Sequence, residues 1–173
     1  GRLGLQDITR QLAPYAGRVN IVYNDNLTFT DLFAQIAALG DDALVLAGPY
    51  FIDAERQYMP QEEFHRKLAV STDRPIFGFF DGTQGLGAIG GRYTNGVNQG
   101  RTAAEMAQQL LRGGPLPPIV RDPEEKNKWI FDYPMLLKFG IAPSSLPKDS
   151  IMLNKPPSLY ETNPLLFWGL VCI

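Results

Sequence analysis

Gly85, Gly87 and Gly90 match the pattern G-x-G-x-x-G, which in some proteins holds the phosphates of a dinucleotide. A dinucleotide site needs a strand before the motif and a helix that begins within it, so that the helix N-terminus faces the phosphates. Here residues 91–96 have the pattern of a strand and a turn, and no ribose-binding acid lies about 20 residues further on. We therefore expect these glycines to permit a tight loop with close backbone approach.

Groups for nucleophilic or metal chemistry are scarce. The chain has one cysteine, Cys172, and one histidine, His65, which argues against a disulfide framework, a cysteine-rich zinc site and a histidine-based triad. His65 lies in an amphipathic pattern, which predicts a solvated surface position, and the acidic stretches 41–42 and 122–125 lie in turn-like contexts. We predict no catalytic residue, no metal ligand and no cofactor, and we expect this domain not to be an enzyme.

Polar and aromatic side chains follow the ends of the predicted core strands. In open parallel sheets, ligands bind beyond the carboxyl ends of the strands. The candidate ligand-binding residues are Asn24, Tyr50, Phe51, Asp81, Thr83 and Arg92. Together they offer aromatic faces, a carboxylate, a guanidinium and an amide, a mixture that suits a small polar or aromatic ligand. The alternative is that they are ordinary loop residues.

Each candidate has an expected role. Tyr50 and Phe51 would stack on the ligand or shape its pocket. Asp81 would accept hydrogen bonds or pair with a cationic group, and Arg92 would pair with an anionic group. Neutral polar contacts would come from Asn24 and Thr83. These roles require three strands to end at one edge of a sheet.

The elements that must position these side chains alternate between strand and helix. Strands are predicted over 18–23, 43–47, 75–80, 88–91 and 128–132. Helices are predicted over 5–12, 28–39, from Pro60 onward, 98–111 and 134–139. The apolar run 43–47 is typical of a strand buried on both faces. This alternation predicts an α/β fold, with a mainly parallel sheet between helices on both faces in three layers.

Composition supports a globular protein. The chain has 173 residues, 45% of them hydrophobic, and a net charge of −2, so it is too apolar for a disordered chain and too acidic for a nucleic-acid binder. Its length fits one domain or a piece of a larger one. The uncharged apolar run 164–173 has about half of the roughly 20 residues that a membrane helix needs. It is either a short buried segment or the first part of a membrane helix.

A series of motifs resembles one family of bacterial proteins. They lie at 14–19, 28–39, 48–53, 60–63, 75–78, 85–91, 99–104, 131–133, 138–141, 146–147 and 154–161. In this order they resemble the extracytoplasmic sensor domain of bacterial membrane receptors, which is related to the substrate-binding proteins of ABC transporters. Phe-Asp-Tyr at 131–133 and Asn-Lys-Pro-Pro-Ser-Leu-Tyr-Glu at 154–161 are the most specific part of the resemblance.

The resemblance implies a fold, a location and a function. It implies one lobe of a type I periplasmic-binding fold over 1–161, mainly the second lobe, and the start of a truncated transmembrane helix over 162–173. The domain would lie on the periplasmic face of the inner membrane. It would bind a small molecule between two lobes and signal to a histidine kinase or diguanylate cyclase module.

Alternatives and partners follow from the same resemblance. A substrate-binding component of an ABC transporter is the alternative function, whereas an α/β enzyme or a receiver-like domain has no supporting site. The expected partners are a small-molecule ligand and the membrane, through the segment after Glu161. A missing lobe would leave apolar surface exposed, which favours a homodimer.

Overall fold

The computed structural model describes residues 2–80, 82–94, 96–115, 127–157 and Thr162. Within these ranges the helices are α1 (Arg2–Leu12), α2 (Phe29–Ala37), α3 (Gln61–Ser71), α4 (Gly96–Leu111) and α5 (Tyr133–Lys138). The strands are β1 (Val45–Ala47), β2 (Ile76–Gly78), β3 (Gly90–Tyr93), β4 (Lys128–Asp132) and β5 (Ile151–Leu153). Short 3₁₀ turns occupy Ala13–Tyr15 and Pro143–Ser145.

The five strands form one sheet, in which spatial order follows chain order from β1 to β5. The pairs β1–β2, β2–β3 and β4–β5 are parallel, whereas β3 and β4 are antiparallel. The predicted α/β class with a mostly parallel sheet is therefore confirmed. Because β4 runs opposite to β3, the start of β4 lies at the edge where β1, β2 and β3 end.

One hydrophobic cluster packs α2 and α3 against β1 and β2. It contains buried Phe29, Leu32, Ile36, Ala47, Met59, Phe64, Leu68, Ile76 and Ala88. Thr28 caps helix α2 as predicted, since its hydroxyl oxygen accepts a hydrogen bond from the Asp31 N–H at 3.1 Å. This cap satisfies one of the free N–H groups of the first turn, while Leu32 and Ile36 bury the apolar face of the helix.

A second cluster packs α5 against the middle of the sheet. Its buried members are Ile89, Phe131 and Leu136, and Phe77 packs against them. Phe77 follows Ile76 directly in β2, and consecutive strand residues point to opposite faces. Since Ile76 belongs to the first cluster, the two clusters lie on opposite faces of the sheet.

The strand predicted over 18–23 is absent. The only pairing recorded there is an isolated bridge between Ala16 and Val19, and the side chains of Val19, Val22 and Tyr23 are exposed. The β-branched content of this segment favours an extended backbone, but a strand also needs a neighbour for its hydrogen bonds. No strand among the described residues supplies that neighbour.

Strand β1 and helix α4 are less covered than their patterns predict. β1 is the first strand in the sheet order, and Leu46 in its centre is exposed, so the predicted burial on both faces is wrong. Helix α4 matches the predicted helix closely, yet none of its described side chains is buried. The spacing of apolar residues predicts the secondary structure of both segments, whereas their burial depends on which other elements pack over them.

His65 is buried, which contradicts its predicted surface position. Its side chain is 3% exposed on the inner side of α3, and its Nδ1 lies 2.8 Å from the Gln61 carbonyl oxygen. The neighbouring Phe64 ring meets the imidazole edge-on, with centroids 5.3 Å apart. The prediction relied on the neighbouring Arg66, which is polar, whereas the His65 ring packs inward beside Phe64.

The expected membrane segment 162–173 lies outside the described residues, apart from Thr162. Within the part of the chain that is described, no helix combines the length and the apolarity needed to cross a bilayer.

Candidate functional site

The carboxyl ends of β1, β2 and β3 meet at one edge of the sheet. Ala47 pairs with Gly78, so the chain leaves the sheet side by side at residues 48 and 79, and Thr94 follows β3. The Thr94 N–H donates to the Phe79 carbonyl at 3.4 Å, which ties the ends of β2 and β3 together. We call this edge the strand-end surface. It contains the predicted strand ends after 43–47 and 75–80, whereas the third predicted strand end, after 18–23, is absent because that segment is not a strand.

Two aromatic side chains of the strand-end surface are available to a ligand. Phe51 is 37% exposed and Phe80 is 39% exposed. Their backbones are fixed, because the Phe51 carbonyl accepts from the Met59 N–H at 2.9 Å and the Phe80 carbonyl accepts from the Thr83 hydroxyl at 2.9 Å. These two rings are the part of the surface best suited to stacking.

Tyr50 is partly buried and packs against the first hydrophobic cluster. Its hydroxyl donates to the Leu27 carbonyl at 2.6 Å and accepts from the Leu27 N–H at 2.9 Å. Its ring contacts Phe29 and Phe64, with centroids 5.8 and 5.9 Å away. Tyr50 therefore anchors the segment before α2 to the end of β1. Its hydroxyl is engaged by Leu27 and does not face a ligand.

The other polar candidates are distributed unevenly. Thr83 is fully buried in the loop between β2 and β3. Its hydroxyl therefore orients that loop instead of facing solvent. Asn24 is partly exposed on the irregular segment before α2. Arg92 is partly buried in β3, near the end of the strand. Asp81 lies outside the described residues.

Trp129 joins the strand-end surface without having been predicted. In the antiparallel register it stands opposite Arg92 on the neighbouring strand, and its side chain is exposed. Its ring stacks on Phe131, with centroids 6.1 Å apart and planes 3° apart. A mainly parallel sheet gives no reason to expect the start of β4 here. Trp129 could be predicted at this edge only from the direction of β4, and residue patterns do not encode strand direction.

A buried polar group, the Tyr93 phenol, lies next to the loop between β2 and β3. Tyr93 is buried at the end of β3, and burial raises the pKa of its phenol above the ordinary value. The Asp132 carboxylate adds to this rise, while contact with the Thr83 hydroxyl partly offsets it. The phenol therefore remains protonated at neutral pH.

Two depressions of the surface lie away from the strand-end surface. One, of about 310 Å³, is lined by Ala37 and by 69–74, near the amino end of β2. The other, of about 360 Å³, lies between α1 and the segment 16–23. Neither includes Phe51, Phe80 or Trp129, so none of these three exposed aromatic residues lines either depression.

Groups for metal binding are not assembled in the described part of the chain. No three side chains of His, Cys, Asp or Glu come close enough there to hold a metal ion. The glycine-rich segment does not begin a helix, since Gly90 starts β3. The geometry thus lacks the helix N-terminus that a dinucleotide site requires.

Comparison with protein families, curated proteins and solved structures finds no match to this chain.

Proposed function

We propose that this chain is the ligand-binding lobe of an extracytoplasmic sensor domain, of the type I periplasmic-binding kind, in a bacterial membrane receptor. The observation that carries the proposal is the pair of exposed rings, Phe51 and Phe80, at the ends of the adjacent parallel strands β1 and β2. A small molecule with a planar group would stack there, and Arg92 and Trp129 stand at the same edge.

The backbone that carries each ring is held in place before any ligand arrives. Hydrogen bonds from Met59 and Thr83 fix the backbones of Phe51 and Phe80. A ligand that meets a prearranged backbone loses less binding free energy to ordering it. This supports a binding surface over an ordinary loop.

The open shape of the surface supports a two-lobed arrangement. One lobe alone leaves the rings in contact with water, whereas ligand sites usually bury most of the ligand surface. In the proposed receptor a second lobe closes over the ligand about a hinge, and ligand binding favours the closed form. The change in lobe position then passes to the membrane through the segment after Glu161.

Thermal unfolding of the purified chain tests the ligand-binding part of this proposal. The probes are free amino acids, nucleobases, aromatic carboxylates and sugars. At least one class is expected to raise the unfolding temperature. Phe51→Ala and Phe80→Ala are each expected to weaken binding of that compound about tenfold or more, equal to about 1.4 kcal/mol.

Val70→Ala is the matched control, because it truncates an exposed apolar side chain on α3, away from the strand-end surface. It should leave the affinity unchanged. The proposal fails if no probe stabilises the chain, or if the phenylalanine variants bind the probe as tightly as the control.

The same surface would serve the substrate-binding component of an ABC transporter. Sequencing the coding region beyond Ile173 separates the two functions. A completed membrane segment followed by a kinase or cyclase module supports the sensor. A stop codon soon after Ile173 supports the transport component and overturns the sensor.

A further inference from the structure

Three motifs that are distant in the sequence meet at one point of the fold. Asp132 comes from the Phe-Asp-Tyr motif, Asn154 from the Asn-Lys-Pro-Pro motif, and Gly85 from the glycine-rich segment. The Asn154 Nδ2 donates to the Asp132 Oδ2 at 3.0 Å. A Cβ atom on Gly85 would stand 3.8 Å from that Nδ2 and 3.9 Å from that Oδ2, so Gly85 lies next to the pair, with room for about one methyl group between them.

Asp132 is held firmly at the end of β4. Its residue is 6% exposed, and its N–H donates to the Ile89 carbonyl at 2.8 Å, next to the glycine-rich segment. A buried carboxylate is costly unless other groups hydrogen-bond to it. Among the described residues the Asn154 amide is the recorded partner of Oδ2, while the buried Oδ1 accepts no hydrogen bond. The amide is therefore a side-chain group that stabilises this carboxylate.

Asn154 is placed by a special backbone conformation. Its φ is 56°, in the left-handed region that asparagine tolerates better than most residues. Asn154 is the first residue after β5, so its left-handed backbone sets the direction of its own side chain. Its conformation and its contact together explain why an asparagine suits this position.

The loop is fastened at two further points. At Gly78 a Cβ atom would stand 3.0 Å from both the Thr83 Oγ1 and the Tyr93 Oη, so glycine there admits both oxygens. At Gly87 a Cβ atom would collide with the Ala69 side chain, so the loop backbone lies directly on α3. Thr83 and Gly87 thus anchor the loop on either side of Gly85.

We propose that Asp132 and Asn154 are positioning residues, a polar clamp that fixes residues 82–88 and thereby orients Phe80 at the strand-end surface. The link runs through Thr83, whose hydroxyl holds the Phe80 carbonyl. The effect of the clamp on a ligand rests on the proposed function. The effect on the loop does not.

Hydrogen exchange measured by mass spectrometry tests the clamp without a ligand. Asn154→Gly keeps the left-handed backbone accessible and removes only the amide. We expect amides of 82–89 to exchange about tenfold faster or more, with β1 and β2 unchanged. Asp149→Gly is the matched control, since Asp149 is exposed and has a φ of 63°. It should leave the exchange of 82–89 as in the wild type.

Exchanging the two side chains supplies a rescue. Asn154→Asp alone sets two carboxylates against each other and should also accelerate exchange of the loop. The double variant Asp132→Asn, Asn154→Asp restores one donor and one acceptor and should return the loop towards wild-type exchange. Acceleration spread equally over the sheet, or unchanged exchange in Asn154→Gly, overturns the clamp.

Affinity provides the second readout. For any probe that stabilises the wild type, Asn154→Gly should weaken binding several-fold at unchanged β-strand protection. Unchanged affinity with an opened loop overturns the role of the clamp in orienting Phe80. If no probe binds the wild type, the proposed function fails, and hydrogen exchange still decides the clamp.

Discussion

The two sides of this molecule use the same sequence pattern with opposite results. Helices α2 and α3 bury their apolar stripes against β1 and β2, and Leu68 of α3 is almost fully buried. Helix α4 has an apolar stripe of similar spacing, yet Leu111 is 89% exposed. An amphipathic pattern therefore predicts a helix reliably, whereas its burial is decided by whether another element covers it.

The irregular segment 18–23 gives the same lesson for strands. It has stronger β-forming residues than β1, but only β1 lies beside another strand. There the Val45 N–H donates a hydrogen bond to the Pro75 carbonyl at 2.9 Å. Local preference is worth about 1 kcal/mol or less per residue, so tertiary contacts readily override it.

The largest effect should come from the second cluster. Leu136→Ala removes a side chain that is 0% exposed and should lower the free energy of unfolding by about 2–5 kcal/mol, because it leaves a cavity. Leu137→Ala is the matched control in the same helix. Leu137 is 61% exposed, so the loss should stay within about 0.5 kcal/mol. Chemical denaturation measures both, and similar losses would mean that α5 is not packed as described.

A smaller effect should follow from removing the Tyr50 hydroxyl. Tyr50→Phe keeps the ring in its aromatic cluster but leaves the Leu27 N–H and carbonyl without this partner. We expect a loss of about 1–2 kcal/mol in the free energy of unfolding. Tyr58→Phe, at an exposed tyrosine, should change almost nothing. Equal stability of the two variants would place the Tyr50 hydroxyl in solvent and return it to the ligand surface.

The packed side should also respond to pH through His65. Burial lowers the pKa of His65, and the contact with the Gln61 carbonyl only partly opposes this. Since the folded-state pKa lies below the unfolded one, protonation favours unfolding. The contribution of neutral His65 is complete above about pH 6.5 and is lost as the pH falls through the folded-state pKa.

His65→Gln is expected to flatten this dependence. The measurement is the free energy of unfolding of wild type and variant between about pH 7.5 and about pH 5. His65 is the one histidine of the chain, so no other imidazole contributes to the difference. Parallel curves for the two proteins would show that His65 titrates as it does in the unfolded chain.

The smallest effect should come from α4. Leu111→Ser removes an exposed apolar side chain and should change the free energy of unfolding by less than about 0.5 kcal/mol. Light scattering should show less self-association, because exposed apolar patches promote it. A loss above about 1 kcal/mol would mean that another surface covers α4 in solution.

Local features of the fold could be predicted from the sequence. The Thr28 cap places the start of α2, and the apolar runs locate β1, β2 and β4 within a few residues. Capping and apolar runs act over a few neighbours, so the sequence displays them directly. The position of segment 18–23 outside the sheet and the exposure of Leu46 depend on missing neighbours, which no local pattern records.

The candidate site was predictable only in outline. The strand-end argument names Phe51, whereas Phe80, which lies at the same edge of the sheet, was not among the candidates. It does not reveal that Tyr50 turns into the core, because that depends on a contact with Leu27, 23 residues away. The position of Trp129 could not be predicted for a similar reason, since it depends on the antiparallel direction of β4.

The sheet order has a consequence for how the chain folds. Each strand pairs with the strand that follows it in the chain, from β1 to β5. The sheet can therefore grow by adding one strand at a time, without first joining distant parts of the chain. Folding rates rise as the mean sequence separation of contacts falls, because short loops lose less entropy on closure. The order in which the strands are synthesised is thus also the order in which they can pair, from the amino-terminal strand onward.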